Sequence, residues 1–117
     1  MGLINPAPPL EVGDAIRWKH AAVYSTESHT IGGMLYVTNR YLVFAINRVE
    51  VRRRFGPVSV PLTRVASIGI QDRTGQAGNG GMRRRVRIAL ENGEVHLFVF
   101  NHPDKILAEL QRFITPR

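Results

Sequence analysis

Arginine dominates the chemistry that this sequence can offer. Fourteen of its 16 basic residues are arginine, only 9 residues are acidic, and the formal net charge is +7. The guanidinium group presents its N–H donors in a rigid plane that matches the oxygens of phosphate and carboxylate groups. The composition therefore indicates binding of nucleic acid, an anionic lipid surface or an acidic protein. A genome that favours arginine codons would give the same composition without any binding site.

The first candidate anion site is the run Arg52, Arg53 and Arg54, which precedes the loop-forming pair Gly56-Pro57. Three adjacent arginines on a loop can form several charge-assisted hydrogen bonds to phosphate. The alternative is a solvated loop whose charge discourages aggregation at a sheet edge.

The second candidate site is a row of basic residues on alternate positions. Arg83, Arg85 and Arg87 share one face of a predicted strand, and Arg17 and Lys19 form a similar row on the first strand. Side by side, the two rows would make a cationic wall for an acidic peptide, a lipid surface or a nucleic-acid backbone. Alternatively, they are simply the outward half of amphipathic strands. Arg84 has the opposite parity, and we expect it at the frayed end of its strand.

Other kinds of site lack the residues they require. The sequence has no cysteine, and its four histidines do not have metal-ligand spacing. Its carboxylates are scattered, no serine or threonine stands in a nucleophile elbow, and the glycine-rich segment 72–81 fits no phosphate-binding motif. We therefore expect no catalytic residue, no cofactor and no metal, and we predict that the protein is not an enzyme.

Alternation of apolar and polar residues predicts a mainly β structure. A first strand, Ala15–Tyr24, should place His20 in or near the core with its apolar face. A hairpin follows at Gly33–Ile46, with Asn39 as the left-handed turn residue. The remaining predicted strands are Val58–Val60, Val65–Gln71 with a bulge at Gly69, Met82–Leu90 and Glu94–Phe100.

One helix is predicted at the end of the chain. Asn101 or His102 can cap it, Pro103 fits its first turn, and Asp104 suits the positive end of the helix dipole. Its apolar stripe comprises Ile106, Leu107, Leu110, Phe113 and Ile114. With residues 1–10 as a flexible arm, residues 11–117 form a single domain. We expect a cytoplasmic protein, because no apolar run is long enough to span a membrane and the amino terminus lacks a signal-peptide pattern.

Three segments resemble GRAM domains of the pleckstrin-homology (PH)-like superfamily, of the small single-domain bacterial type. They are the hairpin pattern G-x-L-Y-x-T-N-R-x-L-x-F from Gly33, the segment Val58–Val65, and the closing hairpin with the helix start Asn101–Asp104. The resemblance implies a split barrel of about seven antiparallel strands capped by the helix. It also implies a non-catalytic adaptor role. Phosphoinositide-binding PH domains carry basic residues between their first two strands, whereas Ser25–Thr30 here contains a glutamate and no lysine or arginine.

These observations predict a binding module whose partner is an acidic protein or an anionic lipid surface, which would place it peripherally at the membrane. A protein partner is favoured, because the basic lipid-binding loop is missing. Weak, sequence-independent contact with a nucleic-acid backbone is the alternative function. An open edge strand could also pair with its copy and give a homodimer.

Overall fold

The computed structural model describes residues 14–26, 30–46, 58–73 and 83–114. It confirms a mainly β fold with one helix near the C-terminus. The elements are β1 Ile16–Ser25, β2 Thr30–Thr38, β3 Tyr41–Ile46, β4 Val58–Pro61, β5 Val65–Gln71, β6 Arg85–Leu90, β7 Val95–Val99 and helix α1 Pro103–Leu110. The predicted arm (residues 1–10) and the candidate site at Arg52, Arg53 and Arg54 lie outside the described residues.

The seven strands form one antiparallel sheet in the order β4-β3-β2-β1-β7-β6-β5. Its two edge strands, β4 and β5, are consecutive in the chain and are separated only by the 3₁₀ turn Leu62–Arg64. Because three residues cannot cross the width of a flat seven-stranded sheet, the sheet must curl until its edges are close. The result is a barrel-like sheet with a seam between β4 and β5.

The helix distinguishes one end of this barrel. At this end, Ile16 pairs with Thr38, and β7 leads into α1. We call this the helix end; the last residues of β5 and the first of β6 also lie here. At the other end of β1, Ser25 pairs with Thr30 and Leu97.

The core fills the inner face of the sheet. The rings of Tyr24, Phe44 and Phe98 pack against one another with centroids 5.2 to 5.6 Å apart. The C-terminal segment adds three buried side chains, Ile106, Leu110 and Ile114. Burial of this apolar surface is the main force that holds the helix against the sheet.

His20 is exposed, so it does not lie in the core, but it borders the core residue Phe100. In the described pairing, β7 covers only residues 23–25 of β1, and His20 lies beyond that pairing. Its ring instead stacks on Trp18 at 6.0 Å and meets the edge of Phe100 at 5.6 Å.

Two local backbone predictions are wrong. No described residue other than glycine has a positive φ, so Asn39 is not left-handed. Thr38 holds the turn instead, because its hydroxyl accepts hydrogen bonds from the backbone N–H groups of Arg40 and Tyr41 at 3.2 and 2.9 Å. Gly69 pairs in register with Arg87, and the irregularity of β5 lies between Val65 and Ser67.

The closing hairpin and the helix largely follow the sequence prediction. Gly93 has a φ of 92°, as expected for its Asn-Gly turn. His102 precedes α1 but forms no side-chain cap, and the helix ends at Leu110, short of the predicted stripe. Among the described residues, no helix has the length and apolar character needed to cross a membrane.

Candidate functional site

The three arginines of the row predicted on β6 differ in their exposure to solvent. Arg83 precedes β6 and is exposed, Arg87 is half-buried, and Arg85 is only 2% exposed. The prediction of a continuous outward row is therefore wrong at Arg85. Arg17 and Lys19, the row on β1, are both exposed as predicted.

Arg85 is buried because its side of the sheet is covered at this position, where Ser25 and Val99 are also buried. Its Nη1 donates a hydrogen bond to the Ser25 hydroxyl at 3.0 Å, and its buried Nε has no hydrogen-bond partner among the described residues. A guanidinium in this environment cannot reach an incoming macromolecule. Arg85 therefore belongs to the interior and not to a binding surface.

Arg83 and Arg84 turn towards the segment that joins β7 to the helix. The Nη2 group of Arg83 donates to the Phe100 carbonyl oxygen at 3.3 Å and to Asn101 Oδ1 at 3.4 Å. Arg84 donates two hydrogen bonds to the Asp104 carboxylate, at 2.9 and 3.1 Å. These bonds, and the charge of Asp104, raise the pKa of Arg84 above its ordinary value.

A surface cavity of about 220 Å³ lies beside these two arginines. We call it the arginine cleft; its lining residues are Arg73, Arg83, Arg84, Phe100, Asn101 and Pro103. Arg73 follows the end of β5 and reaches the cleft because β5 is the neighbour of β6. Sequence reasoning missed Arg73 and the Arg84–Asp104 pair, since both depend on long-range packing at the helix end.

Further exposed basic residues lie on β1, on α1 and just after α1. Arg17 lies over the ring of Phe113, with its guanidinium carbon 5.9 Å from the ring centroid. Two acidic side chains in this region are engaged: Asp104 with Arg84, and Glu109 with the indole N–H of Trp18 at 3.3 Å. The basic helix end comprises Arg17, Lys19, Arg73, Arg83, Arg84, Lys105 and Arg112, all exposed.

A second cavity, of about 280 Å³, opens at the seam of the barrel. We call it the seam cleft; it is lined by Val58, Ser59, Val60, Pro61, Arg64, Leu90, Asn92, Glu94 and His96. In its wall, His96 Nδ1 and the Tyr24 hydroxyl are 2.7 Å apart, and His96 Nε2 lies 3.8 Å from Glu94 Oε2. Sequence reasoning missed this site; the only available signal was that His96 shares the parity of the core residue Phe98.

Burial sets the protonation of this pair. It lowers the pKa of His96 below the ordinary value of 6.5, an effect that the charge of Glu94 partly opposes. Burial, with a smaller contribution from Glu94, raises the pKa of Tyr24 above 10.0. At neutral pH, His96 is therefore neutral and Tyr24 keeps its proton.

We expect His96 to make the fold less stable in mild acid. Its pKa is lower in the folded state than in the unfolded state, so its contribution is complete above about pH 6.5 and is lost as pH falls below that value. Urea unfolding at neutral and mildly acidic pH should show a larger loss for the wild type than for His96→Gln. His102→Gln, an exposed control, should keep the wild-type dependence. Equal losses in the wild type and His96→Gln would contradict the prediction.

Comparison with known proteins supports the fold alone. No family model and no curated protein matches this chain. The chain is similar to the crystal structure of the C-terminal domain of an unknown protein from Leishmania infantum, with a TM-score of 0.65 and 12% sequence identity. The match covers 86% of this chain and 84% of that one, so the two share an architecture through most of their length.

Proposed function

We propose that this protein is a non-catalytic binding module of the GRAM/PH-like type, which binds an acidic partner protein through the basic helix end. The observation that carries the proposal is the convergence of Arg73, Arg83 and Arg84 on one surface cavity. The sequence motifs of the central hairpin, and the order of seven strands followed by a helix, support the GRAM/PH-like assignment.

The three arginines have different capacities for a ligand. Among the described residues, Arg73 has no hydrogen bond or ion pair, and Arg83 bonds only to uncharged oxygens at 3.3 and 3.4 Å. Arg84 is already neutralised by Asp104. An incoming carboxylate would thus meet two guanidinium groups without a counter-charge, with Arg84 completing the wall of the cleft.

The exposed surface favours a protein partner over a membrane. Peripheral membrane proteins add apolar side chains to their basic residues, so that part of the surface enters the lipid. In the described ranges, the large apolar side chains that are exposed are Ile16 and Val95. They lie on different strands, and only Ile16 is at the helix end. Among the described residues, the helix end therefore adds a single exposed large apolar side chain to its charge, which is too little for an apolar anchor.

Charge reversal at the arginine cleft tests the proposal. We expect the wild type to bind a fluorescein-labelled decaglutamate peptide at physiological ionic strength. The double variant Arg73→Glu with Arg83→Glu should weaken this binding by about tenfold or more, because it replaces two attractive contacts with repulsive ones. Asp104→Asn, which leaves Arg84 without its counter-charge, should strengthen it. Fluorescence anisotropy gives each affinity.

A matched control distinguishes binding at the arginine cleft from attraction by the net charge of the protein. The triple variant Arg64→Glu with Ser59→Glu and Thr63→Glu makes the same change in net charge at exposed positions outside the basic helix end, and it should retain most of the binding. An equal loss in the double and the triple variant would show that net charge alone attracts the peptide. The same proteins are tested with phosphatidylserine vesicles and with duplex DNA. Tighter binding to either at physiological salt would overturn the choice of a protein partner.

A further inference from the structure

The seam cleft is a second candidate ligand site on the described surface. It shares no lining residue with the arginine cleft. Its floor is apolar: Val60 and Leu90 are 4% and 7% exposed and continue into the core. Val58 and Pro61 add apolar surface from β4. The volume of about 280 Å³ is slightly below the range of roughly 300–1,000 Å³ that is common for small-molecule pockets. A compact ligand with a short hydrocarbon body fits this space.

The rim supplies hydrogen-bond donors that the protein itself does not use. Within the described part of the chain, the side chains of Ser59 and Arg64 form no hydrogen bond or ion pair. Asn92 accepts a hydrogen bond at Oδ1 from the backbone N–H of Glu94 at 2.9 Å, which leaves its amide nitrogen as a donor. Hydrogen-bond donors beside an apolar floor favour a ligand that has acceptor oxygens at one end and a hydrocarbon body at the other.

His96 adds a directed donor to this rim. When the Tyr24 hydroxyl donates to Nδ1 across their 2.7 Å contact, the ring proton resides on Nε2. The 3.8 Å between Nε2 and the Glu94 carboxylate is too long for a hydrogen bond, so this N–H remains available. Tyr24 thereby acts as a positioning residue that keeps the ring proton of His96 on Nε2.

The charged side chains at the rim favour an anionic ligand over a cationic one. Arg64 would repel a lone cation and form charge-assisted bonds with an anion. Glu94 opposes an anion, but its side chain is 62% exposed, so water screens its charge. We propose that the seam cleft binds a small amphiphilic monocarboxylate, whose carboxylate lies at Arg64 and whose hydrocarbon part packs on Val58, Val60 and Leu90.

Titration with sodium hexanoate, followed by ¹H–¹⁵N NMR, tests the proposal on the full chain. We expect saturable shifts at Leu90, Asn92 and His96, and no shifts at the amides of residues 104–110 in α1. Hexanol should bind more weakly, and hexylammonium should produce no saturable shifts at these positions. Failure here leaves the binding of acidic peptides at the helix end untouched, because the two cavities share no residue.

Two substitutions with opposite signs make the test specific. Arg64→Gln should weaken hexanoate binding by about tenfold, the loss typical of one charge-assisted contact. Glu94→Gln should tighten it, because a repulsive charge is removed. Arg112→Gln, at the helix end, is the control and should have no effect. The proposal is overturned if hexanoate causes no localised shift, if hexylammonium binds equally well, or if Arg64→Gln leaves the affinity unchanged.

Discussion

Gly33→Ala should destabilise the protein by about 3 kcal/mol, the upper part of the range for overpacked cores. A Cβ atom at Gly33 would collide with the carbonyl oxygen of Ala45 and would lie 2.8 Å from Cζ of Phe44. The carbonyl belongs to the backbone of β3, which pairs directly with β2. It cannot move without shifting the β2–β3 ladder, so the strain cannot be relieved by a side-chain rotation.

The Gly33→Ala substitution would also affect the seam cleft. The Phe44 ring packs against Tyr24 and Phe98, with centroid distances of 5.6 and 5.5 Å. Displacement of this ring would disturb the position of Tyr24, whose hydroxyl contacts His96. Gly33 therefore keeps space for an aromatic cluster on which the wall of the cleft depends.

The neighbouring glycine provides the matched control for this prediction. Gly32 is exposed on the opposite face of β2, and a Cβ there would meet no atom within 4 Å. Gly32→Ala should be neutral or stabilising by up to about 1 kcal/mol, because alanine loses less backbone entropy on folding. Urea denaturation of both variants measures the two effects. Similar midpoints for Gly33→Ala and Gly32→Ala would contradict the steric argument.

The elements that were predictable from sequence are those determined by neighbouring residues. The strands β5 and β7, the Asn-Gly turn at Gly93 and the start of the helix at Pro103 follow from local patterns, and the structure contains all of them. Local patterns assign a residue to a face of a strand. They do not show what covers that face.

Arg85 illustrates this limit. Its parity correctly places it on the opposite face from Val86 and Ile88, yet burial on that face removes it from the surface. For the same reason, the apolar parity of His20 did not show that it lies at the exposed border of the core, since parity says nothing about where β7 ends. Burial depends on tertiary packing, which a strand pattern does not contain.

Both clefts depend on contacts between distant parts of the chain. Tyr24 and His96 are separated by 72 positions, and Arg84 and Asp104 by 20. The separate residue types gave no reason to pair them, because a tyrosine in a core strand and a charge at a helix start are both common. The curling of the sheet and the docking of α1 bring these groups together, and only then do the cavities exist.

Leu110→Ala should destabilise the fold by about 3 kcal/mol, because Leu110 is fully buried between the helix and the sheet and its truncation leaves a cavity. Gln111→Ala is the adjacent control. Gln111 is exposed with helical backbone angles, and its replacement should change stability by less than about 0.5 kcal/mol. Urea denaturation compares the two variants.

The same pair of variants distinguishes a role in stability from a role in binding. Leu110 is seven residues after Pro103, or about 10 Å along the helix, and it does not line the arginine cleft. Under conditions in which both variants remain folded, we therefore expect Leu110→Ala to bind the decaglutamate peptide with the affinity of the wild type. A tenfold loss of affinity in the folded variant would show that helix docking itself organises Arg83 and Arg84. In that case the arginine cleft would depend on the whole helix–sheet interface, and not only on the residues that line it.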